Sequence, residues 1–456
     1  MKKTQYDKLT QNYQKDLFKT LKDFVAINSE YDEKTASEND PFGVGVSAAL
    51  DFMVDLAEND GFSATNYDNK VVEIICGQGE KSLVIMAHAD VVPAGDNWET
   101  NPYVMTEKKG ILYGRGVSDD KGPLLASYYA MKALRDKGLI DGYQIRFLVG
   151  GNEERGSLCM EHYFHTLKKP QPTLGFSPDS DFPIVYGEKG IINFNIETKI
   201  NIPGLHEIKG GSAINAVIDK CDIVMDLDLK FLDFIMKTYH RKEAEIHTHD
   251  DKTTVTFFGK AAHGSTPDQG VNGGMFALTA LAKYTKNEEL TRIVKMLTPL
   301  DGAGYKCAGK SKEMGHNTSN VGLVSYEDGV LTIGVNFRYV DTCNKKDLVN
   351  NLKECAKPAK VKILGESPLL YYSPDSPLIS TLLQAYRDET GDYRPPITIG
   401  GGTYAKEADN VVAFGMQLPE FDTLMHSPGE RMRRVDLVKA MSIYARAIVE
   451  LGKLLK

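Results

Sequence analysis

The residues Leu83-Val84-Ile85-Met86 are apolar without alternation. Such a run predicts a strand buried on both faces, as in a parallel or mixed α/β sheet. It ends at His88 and Asp90, and the chain then breaks at Pro93 and Gly95. Val71 to Cys76 and Tyr143 to Val149 predict two more strands, and Leu174-Gly175-Phe176 a short one. Between them the apolar spacing is helical. Leu9, Leu17, Leu21, Phe24 and Val25 share a face over Tyr6 to Ile27. Leu50, Phe52, Met53 and Leu56 carry a helical stretch opened by Pro41 and stopped by Gly61. A third helix is expected from Leu124 to Lys137, and a further one after Glu154.

The pattern changes at Gly187-Glu188-Lys189-Gly190. Ile191 to Ile200 and Thr253 to Phe258 read as strands and Gly273 to Tyr284 as a helix. Asn320 to Val324 and Leu331 to Val340 read as strands, Leu348 to Ala356 as a helix and Val361 to Leu364 as a strand. This approximates β-α-β-β-α-β, a ferredoxin-like sandwich with insertions. The expected organisation is a discontinuous α/β domain, 1–187 and 371–456, carrying an inserted α+β domain, 188–370. The returning chain predicts a helix over Pro377 to Asp388, a glycine loop at Gly400-Gly401-Gly402, a strand over Val411 to Gly415 and a last helix over Val435 to Leu455.

Composition narrows the function classes. A chain of 456 residues with 42% hydrophobic content can bury a sizeable core. A formal net charge of −8 argues against a nucleic-acid partner. No apolar run is long enough for a membrane span. The start MKKTQYDKLTQNYQ lacks the apolar segment of a signal peptide. Six scattered cysteines without a CxxC pair read as reduced packing residues of a cytoplasmic protein.

The chemistry lies where the strands end. Asp90, Glu153 and Glu154, and Asp179 each follow a predicted strand, and Asp119 lies in a fourth acidic loop, GRGVSDDKGP. Open α/β sheets place their ligands at such carboxyl ends. Each acid alone has a blander reading. Ser-Asp-Asp-Lys-Gly is ordinary turn composition, and Glu153-Glu154 suits a solvated helix start. The glycines around Asp119 follow neither GxGxxG nor Walker spacing, against a phosphate loop. Taken together, His88, Asp119, Glu154, Asp179 and His426 offer two imidazoles and three carboxylates. That set suits zinc, manganese or cobalt better than magnesium or calcium. The five divide as a two-metal site: His88 and Asp179 on one ion, His426 and Glu154 on the other, Asp119 bridging. Asp90 is placed to hold the second ring nitrogen of His88. A water between the metals would be acidified, and Glu153 is free to act as general base and pass the proton to a leaving amine. On its own His263 in AAHGSTP reads first as a buried hydrogen-bonded histidine, and Arg338 in TIGVNFRYV reads as well as a sheet-face ion pair. His247 and His249 in EIHTHDD read as surface residues.

The motifs MAHADVVPAGDNW, GRGVSDDKGPLLA, GGNEERGS, FSPDSDFPI, AAHGSTP, GGGTYAK and MHSPGERM occur in this order. In them the chain resembles the di-zinc aminoacylase/carboxypeptidase clan of metallopeptidases, and within it the PepV-type, carnosinase-like dipeptidases acting on β-Ala-Xaa or Xaa-His. The resemblance runs from about residue 10 to the C-terminus. It implies a mixed-sheet di-zinc exopeptidase-type catalytic domain with an inserted ferredoxin-like lid. It implies the same five metal ligands, Glu153 as general base and Asp90 behind His88. It also implies His263 as the oxyanion-stabilising lid histidine and Arg338 as the arginine that holds the substrate carboxylate. Asn215 in GGSAINAV and Gly401 match substrate contacts. Two departures stand out. Lys406 occupies a position where many relatives have arginine, and HSPGER replaces a frequent His-X-X-Asn/Asp-Glu.

The expected function is a cytoplasmic metal-dependent dipeptidase that removes the N-terminal residue of dipeptides. Two divalent ions are expected, zinc first, with manganese or cobalt as alternatives. No nucleic-acid or membrane partner is expected, and the oligomeric state is left open. A lid with an arginine clamp explains the size limit. One rival is an N-acyl-amino-acid deacylase or desuccinylase of the same clan. Another is a noncatalytic metal- or peptide-binding protein, against which the presence of Glu153 argues.

Overall fold

The computed structural model describes residues 4–418 and 420–456, so Met1 to Lys3 of the two-lysine start lie outside it. The chain divides into two compact units. The first comprises residues up to Tyr186, then Tyr372–Ile397 and the chain from Thr403 onward. The second comprises Gly187–Tyr371 and Thr398–Gly402, so Gly401 clusters with the inserted segment and not with the returning chain.

In the first unit, strand Ser82–His88 lies between two parallel neighbours, Gln144–Gly150 and Leu174–Ser177. It takes that place because both its faces are apolar: Leu83, Val84, Ile85, Met86 and Ala87 are all fully buried. Val71–Gly77 and Ser63–Tyr67 extend the sheet antiparallel beyond Gln144–Gly150. On the other side Val411–Ala413 runs parallel to Leu174–Ser177 and meets Val185–Glu188 antiparallel. The register decides the function. His88 pairs with Gly150, and Ile85 with Phe176. The three parallel strands therefore end almost level, and the loops after them leave one edge of the sheet side by side. Ala89 N–H donates to Gly150 O at 2.8 Å, joining two of those loops.

Helix Lys121–Arg135 follows the Asp119 loop directly and is buried along most of its length. It packs with Arg434–Leu454 and with Gln14–Val25. Lys121 is fully buried, yet its ammonium donates to Phe24 O at 3.1 Å and Ile27 O at 2.8 Å. It thus satisfies carbonyls at the end of Gln14–Val25, while burial pushes its pKa down to about 7. Ser376 caps Pro377–Thr390, with proline at the first helical position where a missing N–H costs nothing.

The second unit holds an eight-stranded sheet, antiparallel throughout. Strand Gly190–Lys199, helix Gly273–Thr285, strands Thr318–Glu327 and Val330–Tyr339, helix Lys345–Ala356 and strand Lys360–Ser367 follow the β-α-β-β-α-β order. In the sheet Gly190–Lys199 lies between Val330–Tyr339 and Lys360–Ser367, the arrangement of a split β-α-β sandwich. An insertion after the first strand adds Leu205–Gly210, Lys220–Asp226, helix Leu229–Thr238, Ala244–His249 and Lys252–Phe258, extending the sheet past Thr318–Glu327. Ile192, Phe194 and Ile196 alternate with Asn193, Asn195 and Glu197, and the apolar set joins Leu278, Leu281, Ile293 and Leu352 in one core. Among the described residues no helix is long and apolar enough to cross a membrane.

Candidate metal centre

Each candidate ligand leaves the first unit's framework at a point its sequence explains. His88 is the last residue of the central strand. Glu154 follows Gln144–Gly150, and Asp179 follows Leu174–Ser177. Asp119 sits just before helix Lys121–Arg135. His426 precedes strand Arg431–Arg433, which pairs antiparallel with Ile111–Tyr113 and so returns the chain to the Asp119 loop. His426 itself adopts φ +59°, a left-handed conformation that non-glycine residues hold only when surrounding structure imposes it.

The five side chains converge as two groups sharing one carboxylate. His88 Nε2 lies 3.1 Å from Asp119 Oδ1 and 3.6 Å from Asp179 Oδ2. His426 Nε2 lies 2.8 Å from Asp119 Oδ2 and 3.3 Å from Glu154 Oε2. Asp119 therefore turns one oxygen to each histidine. Ligand atoms about 2.0–2.2 Å from one tetrahedral ion sit roughly 3.3–3.6 Å from each other. The observed separations fall around that edge length.

The tautomer of His88 follows from its neighbours. Its Nδ1 lies 2.9 Å from Asp90 O and 3.4 Å from Asp90 Oδ1. A carbonyl oxygen only accepts, so Nδ1 donates its proton toward Asp90, and Nε2 is the nitrogen turned to Asp119 and the one a cation there would take. Asp90 thus orients His88 chiefly through its main chain. Its carboxylate does something the sequence did not suggest: it accepts the N–H of Glu153 and of Glu154, each at 3.1 Å. Asp120 Oδ2 accepts the His88 N–H at 3.1 Å. The Tyr404 ring stands edge-on to the His88 imidazole, centroids 6.0 Å apart.

Charge is the other test of fit. Among the described residues Asp119, Glu154 and Asp179 form ion pairs with His88 and His426 alone, and with no lysine or arginine. Glu154 Oε1 is buried and has no hydrogen-bond partner among the described residues. Burial, then the Asp119 charge, pushes the Asp179 carboxyl up to about 7. Burial, then Asp179, pushes Glu153 well above the carboxylate range. Burial alone would depress His426, but hydrogen bonds with Asp119 and Glu154 hold it up near 11. These shifts describe an excess of buried negative charge with too few counter-ions. Divalent cations fit that deficit, and the N/O donor set fits zinc, manganese or cobalt.

The remaining predicted residues lie in the second unit, close to each other. Arg338 is 3% exposed and donates to Asn336 Oδ1 at 2.8 Å and to Gly400 O, beside Gly401. Burial lowers its pKa to about 10, and among the described residues it forms no ion pair. The Gly264 N–H donates to Asn215 O at 2.7 Å, and a Cβ at Gly264 would fall 2.9 Å from Asn336 Oδ1. His263 is exposed, with Nδ1 2.6 Å from Ser265 Oγ. The expectation of a surface place for His247 and His249 agrees with their exposed positions on Ala244–His249. Sequence reasoning passed over Asp120, Tyr404 and Glu430. For Glu430 a signal existed, an acid four residues after His426 in a glycine-containing loop.

Residues 84–450 match the pattern of peptidase family M20/M25/M40. A "Putative dipeptidase" of Staphylococcus epidermidis is 33% identical over 461 residues, covering 96% of this chain and 97% of that protein. Human carnosine dipeptidase 1 has a similar fold, TM-score 0.59 at 17% identity, covering 99% of both chains. So does the di-peptidase Dug1p of Saccharomyces cerevisiae, TM-score 0.60 at 14% identity, covering 98% of both. With its convergent histidines and carboxylates at the ends of the parallel strands and a family match across most of its length, this chain belongs to peptidase family M20/M25/M40.

Proposed function

We propose that this protein is a metal-dependent dipeptidase that releases the N-terminal residue of dipeptides. The observation that carries the reading is the pair of ligand groups meeting at Asp119, an arrangement in which one carboxylate could serve two ions. His88 and Asp179 would hold one ion, His426 and Glu154 the other, with zinc first and manganese or cobalt as alternatives. Divalent cations bound there supply Lewis-acid stabilisation of developing negative charge and a water of lowered pKa.

The chain's own groups do the rest. With cations bound nearby to favour its ionised form, Glu153 takes a proton from the attacking water and delivers it to the leaving nitrogen, which cannot depart as an amide anion. Its backbone is fixed by Asp90 Oδ1, so its carboxylate need not search for its position. Asp90 fixes the neighbouring Glu154 through its other oxygen, keeping the two acids in separate roles. Arg338, a buried cation bonded to neutral acceptors, suits a substrate carboxylate, which would complete its pairing. The family resemblance assigns His263 to the oxyanion and Asn215 and Gly401 to substrate contacts. The second unit is then the lid, and a clamp on the carboxylate limits substrates to short peptides. A cytoplasmic location fits the scattered, mostly buried free cysteines.

Hydrolysis of a dipeptide panel, with N-acetylated and tripeptide counterparts, tests the reading after chelation and metal add-back. Metal-restored cleavage of free dipeptides is the expected result. Cleavage confined to N-acylated substrates would assign a deacylase instead, and binding without turnover would assign a noncatalytic protein.

A further inference from the structure

Glu430 is fully buried and lies four residues after His426. Its carboxylate is filled by donors from one short loop. Oε1 accepts the Ser118 N–H and the Ser118 hydroxyl, both at 2.9 Å, and the Asp119 N–H at 3.2 Å. The Gly116 N–H lies 3.1 Å from both oxygens. Arg115, itself buried, donates to Oε2 at 2.7 Å. Gly116 has φ +88°, which lets successive N–H groups turn inward on one anion, as in a backbone nest. The main chain adds a further tie, with the Gly114 N–H donating to Glu430 O at 3.1 Å.

One side chain thus binds the main chain of Asp119 to the loop that carries His426. That loop needs an anchor. The His426 side chain is 54% exposed, so packing does not fix it, yet its Nε2 meets Asp119 Oδ2 at 2.8 Å. Asp119 meanwhile must present one oxygen to His88 and the other to His426, which demands a fixed backbone. A carboxylate holding several charge-assisted bonds supplies that rigidity. Gly429 stands directly before Glu430, which keeps its bonds to the Ser118 loop.

We infer that Glu430 is a positioning residue that holds Asp119 and His426 at the separation a shared cation site requires, and so sets divalent-cation affinity. The inference rests on the two-cation reading of the site. Groups behind metal ligands typically change metal affinity by roughly 10–100-fold when altered.

The experiment is a titration of the chelator-stripped full chain with zinc against a competing chromophoric chelator, and with cobalt followed by visible absorption. Three variants accompany wild type: Glu430→Gln, Ser118→Ala and Glu73→Gln. Glu73 is a buried carboxylate of the same unit, paired with Arg146 away from the site. Folded Glu430→Gln is expected to bind the weaker ion roughly 10–100-fold less tightly and to show an altered cobalt spectrum. Ser118→Ala, which loses a single donor, should shift both readouts the same way by less. Glu73→Gln should melt earlier with wild-type affinity and spectrum. Wild-type affinity and spectrum in folded Glu430→Gln overturn the inference. If Glu430→Gln does not fold, Ser118→Ala decides, an unchanged affinity overturning it. Wild type that takes up no divalent ion overturns the two-cation reading and this inference together, whereas two ions bound equally by wild type and Glu430→Gln overturn this inference alone.

Discussion

His426 Nε2 lies 2.8 Å from Asp119 Oδ2, while the other oxygen of Asp119 faces His88 Nε2 at 3.1 Å. One carboxylate therefore stands between two imidazoles from opposite ends of the chain. A bridging ligand serves both ions, so Asp119→Asn should lower the occupancy of both sites together with turnover. His88→Ala and His426→Ala should each weaken one site more than the other. Elemental analysis of the purified variants checks this. Two ions retained by Asp119→Asn with normal turnover would rule out the bridge.

Arg338→Ala should raise KM for free dipeptides roughly ten- to a hundred-fold, since a charge-assisted bond is worth about 1.5–3 kcal/mol. Wild type should discriminate against dipeptide amides, and the variant much less. The two substrates are compared side by side in kcat/KM. Equal cleavage of both by wild type would remove Arg338 from the carboxylate.

His263→Ala should reduce turnover by roughly 10²–10³-fold, as loss of an oxyanion donor does. Its side chain is exposed, so the melting temperature should hold. A large fall in melting temperature with near-normal turnover would make His263 a structural residue instead.

The Glu73–Arg146 pair makes stability depend on pH. Burial raises the Glu73 carboxyl, but hydrogen bonds from Tyr163 at 2.5 Å and Arg146 at 3.0 Å more than reverse this, and its pKa is lowered. A carboxyl with a lowered folded pKa contributes stability above its unfolded pKa and loses it as pH falls through the folded value. Glu73→Gln leaves Arg146 buried without its acid and should cost about 3–5 kcal/mol near neutrality. The gap in melting temperature between wild type and variant should narrow as pH drops below the ordinary carboxylate range. Thermal melts across pH read it directly, and a constant gap would contradict the assignment.

Much of this was legible in the sequence because local patterns and global fold agree. Leu83 to Met86 are apolar on both faces, and only a central strand buries both. The acids after each parallel strand could be collected because strand ends are where such sheets gather ligands. Other features depend on pairing between distant segments. Lys220–Asp226 alternates cleanly, with Cys221, Ile223 and Met225 buried, but its neighbours are set by the sheet and not by its own composition. Asp90 was expected to serve His88 with its carboxylate. Its Oδ1 does lie 3.4 Å from His88 Nδ1, and the level ending of Ser82–His88 and Gln144–Gly150 also brings the Glu153 and Glu154 N–H groups to that carboxylate, a register effect invisible in a linear motif. Glu430 stood in a motif beside His426, but its role depends on partners at residues 115–119, which only the fold brings to it.

If Glu153 moves the proton while Glu154 holds an ion, metal content and dipeptide turnover measured together on Glu153→Gln and Glu154→Gln will separate the two. Glu154 Oε2 already lies 3.3 Å from His426 Nε2, within one ligand group, whereas Glu153 belongs to neither group. Glu153→Gln should keep both ions and bind dipeptide while turnover falls by at least roughly 10²–10⁴-fold. Glu154→Gln should lose metal first and regain part of its activity at high metal concentration. Loss of metal from Glu153→Gln with full occupancy in Glu154→Gln would contradict the account and exchange the two roles.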